Sequence, residues 1–210
     1  AVYKSAAPAG PYTHDAADMA KVVAYVDAIG ADGFSVSSDY FSNFSNEATT
    51  ESIFNSDEGT AQNRWFMTLH YDQNPSGWNG FTTLADFYDT FKDGDIRKGA
   101  PAKKDGSNFS GIGLGFLIGQ QYKDDGTAIV DSRSQKPLQF TRDVTLAGTP
   151  TDKGIRAIKY HPANASKYIL MRYSEAFLMK AEALLRSGKA AEGLALVNEL
   201  RAKRKADALA

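Results

Sequence analysis

The 210-residue chain has no cysteine, which excludes disulfides, thiolate nucleophiles and cysteine-ligated zinc. It also lacks an excess of charge of either sign. Lys and Arg number 24 against 25 Asp and Glu, a net charge of −1, so no global field draws the chain onto nucleic acid or an anionic membrane surface. No apolar run approaches the roughly 18 residues of a membrane-spanning helix. Histidine is scarce. His14, His70 and His161 lie far apart and outside any metal-binding spacing, so they read as ordinary surface or loop residues, and neither a metal nor a cofactor is expected. The opening AVYKSAAPAG has no Met and no apolar signal-peptide core, which reads as a processed or truncated piece of a longer protein. Aromatic residues are plentiful, at 11% of the chain, and many sit in polar, turn-rich stretches.

Periodicity divides the chain into two helical ends and an irregular middle. Residues 16–29 place Met19, Val22, Val23, Val26 and Ile29 on one helical face, with Asp15 as N-cap and Gly30 and Gly33 as the stop. Beyond residue 34 the pattern dissolves into Ser, Asn and Thr with interleaved Phe and Tyr. ESIFN reads as a short strand, and RWFMTLHY (64–71) reads as a strand from its aromatic content. TTLADFYDTF (82–91) reads as a helix capped by Thr82 or Thr83. Strand patterns follow at 115–122, 127–131, 137–144 and 154–161, with KDDGT as a hairpin turn between the first two. Helix then returns: Tyr173, Phe177, Leu178, Ala181, Leu184 and Leu185 form one stripe, Gly188 breaks it, and Leu194, Val197 and Leu200 form the next. Two antiparallel helices joined at SGK make an αα-hairpin, with the look of a single tetratricopeptide unit. One unit alone cannot bury both its faces.

Motifs that carry chemistry are few. GIGLGF (111–116) is no dinucleotide fingerprint, because Phe116 stands where the third glycine belongs and no helix follows. Asp86, Asp89, Asp93 and Asp95 cluster as a glycosidase pair would, but they lie on and just after a short solvent-facing helix, where capping and solvation account for them. The positive charges within Arg201–Lys205 complement the dipole of a helix C-terminus. One constellation remains, in RWFMTLHYDQNPSGWNG. Trp65, Tyr71 and Trp78 gather around a loop held by Pro75, Gly77 and Gly80, with Asn74 and Asn79 beside them. Flat rings stack on the C–H face of a sugar while amides hydrogen-bond its hydroxyls. These five residues are therefore the candidate ligand-binding set, and no catalytic residue is assigned.

The order of the pieces resembles the SusD/RagB family of surface nutrient-binding lipoproteins of Bacteroidetes-type bacteria. LMRYSEAFLMKAEALLRSGKAAEGLALVNELRAKR is similar to that family's RYAE…AEA…R-x-R segment. GIRAIKYHP is similar to its strand ending in Lys-Tyr, and FYDTFKDGDIRKG to its F-x-x-x-D-x-R stretch. ADGFSVSSDYFSNFSNEATTESIFN is similar to the passage that follows its repeat helices. The resemblance implies a mainly α fold with irregular β and long loops, in which tetratricopeptide-type helices scaffold a loop-rich subdomain. Residues 1–33 would then end an N-terminal helical region, 34–165 form the loop- and strand-rich part, and 166–210 the closing hairpin of one domain fragment, cut at both ends. It further implies capture of an oligosaccharide or related nutrient at the surface of the outer membrane, with no catalysis. The ligand would pass to a SusC-type TonB-dependent transporter, and a lipid anchor outside this segment would hold the protein at the membrane. A glycoside-acting enzyme using Asp86–Asp95, or a tetratricopeptide-type protein adaptor, are the competing readings.

Overall fold

The computed structural model describes residues 14–57, 66–145, 147, 150–164 and 166–210. The chain forms two compact units. One comprises residues 1–39, 48–56 and 169–210, and the other residues 40–47 and 57–168.

The first unit is helical. Helix α1 (Ala16–Ala31) starts at Asp15, whose carboxylate accepts the N–H groups of Ala17 at 2.8 Å and Asp18 at 3.3 Å. This satisfies two donors that a helix start leaves orphaned. The helix runs through Gly30, and only at Gly33 does the backbone turn left-handed (φ 97°). Met19 and Val26 are buried along the expected face. Two further helices, written α3 (Tyr173–Arg186) and α4 (Ala190–Lys203), form the αα-hairpin, with Gly188 at φ 77° in the turn. Helix α3 packs against both α1 and α4, burying Phe177, Ala181, Ala183 and Leu184, and Lys180 pairs with Asp27 of α1. Strand β1 (Ser52–Asp57) is joined in a two-stranded sheet by β7 (Lys167–Arg172). The run Lys167–Arg172 enters the hairpin as a strand, directly ahead of the helical stripe that the sequence pattern begins at Tyr173.

The second unit is built from short antiparallel pieces. Strands β2 (Gly99–Ala100), β3 (Leu114–Leu117) and β6 (Arg156–Ile158) form a three-stranded sheet in the order β2-β3-β6, with Gly115 opposite Gly99 and Phe116 opposite Ala157. Strands β4 (Gly119–Gln120) and β5 (Gln139–Phe140) pair separately. The single run expected at 115–122 is split at Ile118, and Gly119, at φ 75°, turns the chain into the next sheet. Residues 127–131 make isolated bridges only, Ala128 to Tyr122 and Val130 to Pro137. The KDDGT turn is present, closed by the Lys123 N–H to Thr127 O (2.8 Å) and the Gly126 N–H to Lys123 O (3.0 Å). Helix α2 (Ala85–Asp89) is shorter than expected and has no side-chain cap. Thr83 is instead drawn into a bridge, its N–H donating to Ile155 O at 2.8 Å. Leu69, Ile129, Leu138, Phe140, Ile155 and Ile158 are buried at the centre of this unit.

Candidate functional site

The stretch expected to be a strand before the aromatic loop is not one. Residues 66–71 coil through turns, and their carbonyls are spent on the returning loop rather than on a neighbouring strand. The Trp78 N–H donates to Phe66 O, Gly80 and Phe81 to Met67 O (2.6 and 2.9 Å), Asn79 to Leu69 O (2.9 Å) and Gly77 to His70 O (3.1 Å). Gly77 is required there, because a Cβ at that position would overlap the Leu69 carbonyl. From the far side Arg156, fully buried, donates to Phe81 O (3.0 Å), Thr151 O (2.7 Å) and Lys153 O (3.2 Å). Burial, with no carboxylate paired to it among the described residues, depresses its guanidinium to about 10, with Asp152 opposing the shift. A cation held by three carbonyls thus fixes the backbone three residues beyond Trp78.

This scaffolding presents the indole outward. Trp78 is 69% exposed, and one face lies near the Phe66 ring, almost parallel to it (6.1 Å between centroids, 14°). Phe81 is also largely exposed nearby. Phe66 and Phe81 complete the aromatic surface; Phe66 lies within the same sequence window and Phe81 directly after it, which was the signal for them. Asn79 adopts φ 55° and turns its side-chain oxygen inward, where it is buried with no hydrogen-bond donor among the described residues. Asn74 is exposed, its amide donating to Asp124 (2.6 Å) and Asn108 (3.3 Å). Tyr71 lies against His70 (3.9 Å between ring centroids), beneath the Arg133 guanidinium (4.4 Å), and donates its hydroxyl to Asp131 at 3.1 Å. Trp65 lies outside the described residues.

Beneath Tyr71, among the described residues, His70, Asp72 and Asp131 bring their donor atoms within 4.8 Å of one another. His70 is fully buried rather than a surface residue as its sequence context suggested, because its backbone N–H and carbonyl anchor the Gln73 turn. Most polar atoms of the cluster are already engaged, although His70 Nε2 is buried with no hydrogen-bond partner among the described residues. Asp131 accepts from Tyr71, the Arg133 N–H (2.9 Å), Ser134 (2.9 Å) and Thr151 (3.4 Å). Asp72 accepts from the Ser132 N–H (2.8 Å), and His70 Nδ1 from the Asp72 N–H (3.1 Å). Burial alone would raise the Asp131 carboxyl, but the hydrogen bonds from Arg133, Ser134 and Tyr71 hold it below its usual value. These groups form a hydrogen-bonded knot under the loop.

The carboxylates at 86–95 do not assemble a general acid. Asp89 forms a double hydrogen bond with Arg142 (3.0 and 2.5 Å), and Asp93 pairs with Lys98 (2.9 Å). Those bonds hold both carboxyls below their usual value, the opposite of what a proton donor at neutral pH needs. Asp95 is buried, caps the turn Ile96–Lys98 through the Arg97 N–H, and grips the Arg97 side chain.

The family model of the SusD family matches residues 50–210. The chain belongs to that family. Its fold is shared with a SusD-like carbohydrate binding protein from Bacteroides vulgatus (TM-score 0.57, 18% identity, 92% of this chain and 35% of that one). It is shared likewise with a SusD superfamily protein from Parabacteroides distasonis (0.57, 13%, 95% and 41%). Surface glycan-binding protein A from Bacteroides uniformis is a third such neighbour (0.55, 19%, 93% and 39%). The chain thus spans well under half the length of these structures. No curated protein matches it. Among the described residues, no helix is long and apolar enough to cross a membrane.

Proposed function

We propose that the protein binds an oligosaccharide or related nutrient at the surface of the bacterial outer membrane and passes it to a SusC-type TonB-dependent transporter, without catalysis. Membership of the SusD family and the glycan-binding neighbours support this reading, and the helices of the first unit serve in it as a tetratricopeptide-type scaffold. The observation that carries it is Trp78, a large indole held open to solvent by a loop whose own backbone is pinned on both sides. A stacking platform must be rigid before the ligand arrives, since ordering it on binding would cost affinity. Asn74 and Asn79 flank the platform, Trp65 is assigned to it with them, and Tyr71 joins its edge while buttressing the loop.

Calorimetry of Trp78→Ala against a panel of neutral and acidic oligosaccharides tests the reading. Loss of a central interface aromatic should cost about 1–3 kcal/mol of binding, with the melting temperature nearly unchanged because the ring buries little. Wild-type affinity in the variant, or a large drop in its melting temperature, would reassign Trp78 to packing.

A further inference from the structure

The second unit carries another concavity, built from different residues than the Trp78 loop. Its cavity of about 490 Å³ falls in the range of small-ligand pockets. The floor is the β3–β6 pair, where Phe116 stands opposite Ala157. Phe87 and Phe91 wall one side. Each meets the Phe116 ring edge-on, at 6.1 and 5.2 Å, and they meet each other at 5.4 Å. Tyr160 and Tyr168, nearly parallel at 5.8 Å, also line the cavity. Phe87 is 53% exposed and Tyr168 40%, more than a packed aromatic cluster would leave uncovered.

The charged groups in this lining are of one sign. Arg97 and Lys159 line the cavity, and among the described residues no carboxylate does. Arg97 spends Nε and Nη2 on Asp95 and rests its guanidinium 4.9 Å from the Phe91 ring centroid. It is therefore held in place, with Nη1 left over. Lys159 forms no ion pair among the described residues, and its ammonium lies 5.5 Å from the Phe44 ring centroid. Flat apolar walls with a pre-set guanidinium nitrogen and an uncompensated ammonium match a ligand with an apolar ring face and one carboxylate.

We propose that this pocket is a second ligand site, separate from the Trp78 loop, that takes a small carboxylate-bearing ring compound. An aromatic acid and an acidic sugar share that chemistry. The ring lies between the Phe87–Phe91 wall and the tyrosine pair, and the carboxylate bridges Arg97 and Lys159.

The test is calorimetry of the intact protein with cinnamate, methyl cinnamate and digalacturonate. Saturable binding of cinnamate identifies an aromatic-acid site, and saturable binding of digalacturonate alone identifies an acidic-sugar site. Lys159→Gln and Phe87→Ala, both at exposed positions, should each weaken the bound acid by about tenfold, and the uncharged ester should bind as weakly as the acid does to Lys159→Gln. Trp78→Ala should leave this binding intact, so the pocket and the Trp78 reading can fail separately. Absence of saturable binding by either acid, equal affinity for acid and ester, or loss in Trp78→Ala with none in Phe87→Ala would each overturn the proposal. If Phe87→Ala melts early, Lys159→Gln decides the outcome.

Discussion

At the scale of single residues, burial decides what each polar group does, and His70 shows it most directly. Its imidazole is excluded from water, which lowers its affinity for a proton, while Asp72 and Asp131 restore part of it. In the unfolded chain the ring titrates near 6.5. The unfolded state therefore binds the proton more readily than the native state below that pH. His70 thus supports folding fully above pH 6.5 and progressively less as the pH falls beneath it. His161, also depressed mainly by burial, contributes with the same sign. The expected result is a melting temperature that declines between about pH 7 and pH 5. In His70→Asn, whose side-chain oxygen can still accept the Asp72 N–H, the decline should be shallower, leaving the part due to His161. Equal slopes in wild type and variant would show that His70 titrates alike in both states. The same principle separates Trp78 from Tyr71: one ring is exposed to solvent, and the other is committed to His70, Arg133 and Asp131.

At the scale of elements, the helices were legible in the sequence and most of the strands were not. Helix α1, the αα-hairpin and their buried faces follow from spacing alone, because a helix closes its hydrogen bonds within itself. Strands of two to four residues carry too little pattern, and their partners lie far along the chain: Phe116 pairs with Ala157, and the Thr83 N–H meets Ile155 O. The aromatic run 66–71 mimicked a strand while its carbonyls served a loop ten residues on. The candidate loop was visible as a cluster of Trp, Asn, Pro and Gly, but the buried Arg156 that pins it was not, since nothing local marks its carbonyl partners. Gly193 is a similar case inside helix α4. By propensity, Gly193→Ala should stabilise a helix by about 0.5–1 kcal/mol. Here a Cβ would stand 2.7 Å from the Ala181 carbonyl oxygen of α3, so the added methyl must force the helices apart. We expect Gly193→Ala to destabilise by about 1–3 kcal/mol, read as a lower midpoint in urea at unchanged slope. A higher midpoint would mean that the α3–α4 interface yields without cost.

At the scale of the whole molecule, the first unit has to be closed from three separated pieces of chain, and one buried carboxylate does much of that work. Glu51 is fully buried. Its Oε1 accepts the Ser37 N–H at 2.8 Å and a guanidinium N–H of Arg204 at 2.6 Å, and Arg172 approaches Oε2 at 3.6 Å. Its backbone carbonyl takes the Tyr173 N–H that opens helix α3, at 2.8 Å. Arg204 also donates to Ser37 O. Positive charge at a helix end suggested a solvated dipole partner, yet Arg204 is 4% exposed, turned inward where Lys203 and Lys205 are not. A buried pair of this kind adds little over an apolar pair of similar volume. Removing Glu51, however, strands the Arg204 charge in the core, and removing Arg204 leaves Glu51 only the more distant Arg172; loss of a buried partner costs about 3–5 kcal/mol. Arg204→Ala and Glu51→Ala should each lower stability by that order. The double variant should cost less than the sum, because neither charge is left unpaired by loss of the other. Urea unfolding of the four proteins in the cycle measures the difference. Additive losses, or an Arg204→Ala protein as stable as wild type, would show that residues 169–210 are held to the rest of the unit by helix packing and the β1–β7 pairing, with the Glu51 carboxylate a bystander.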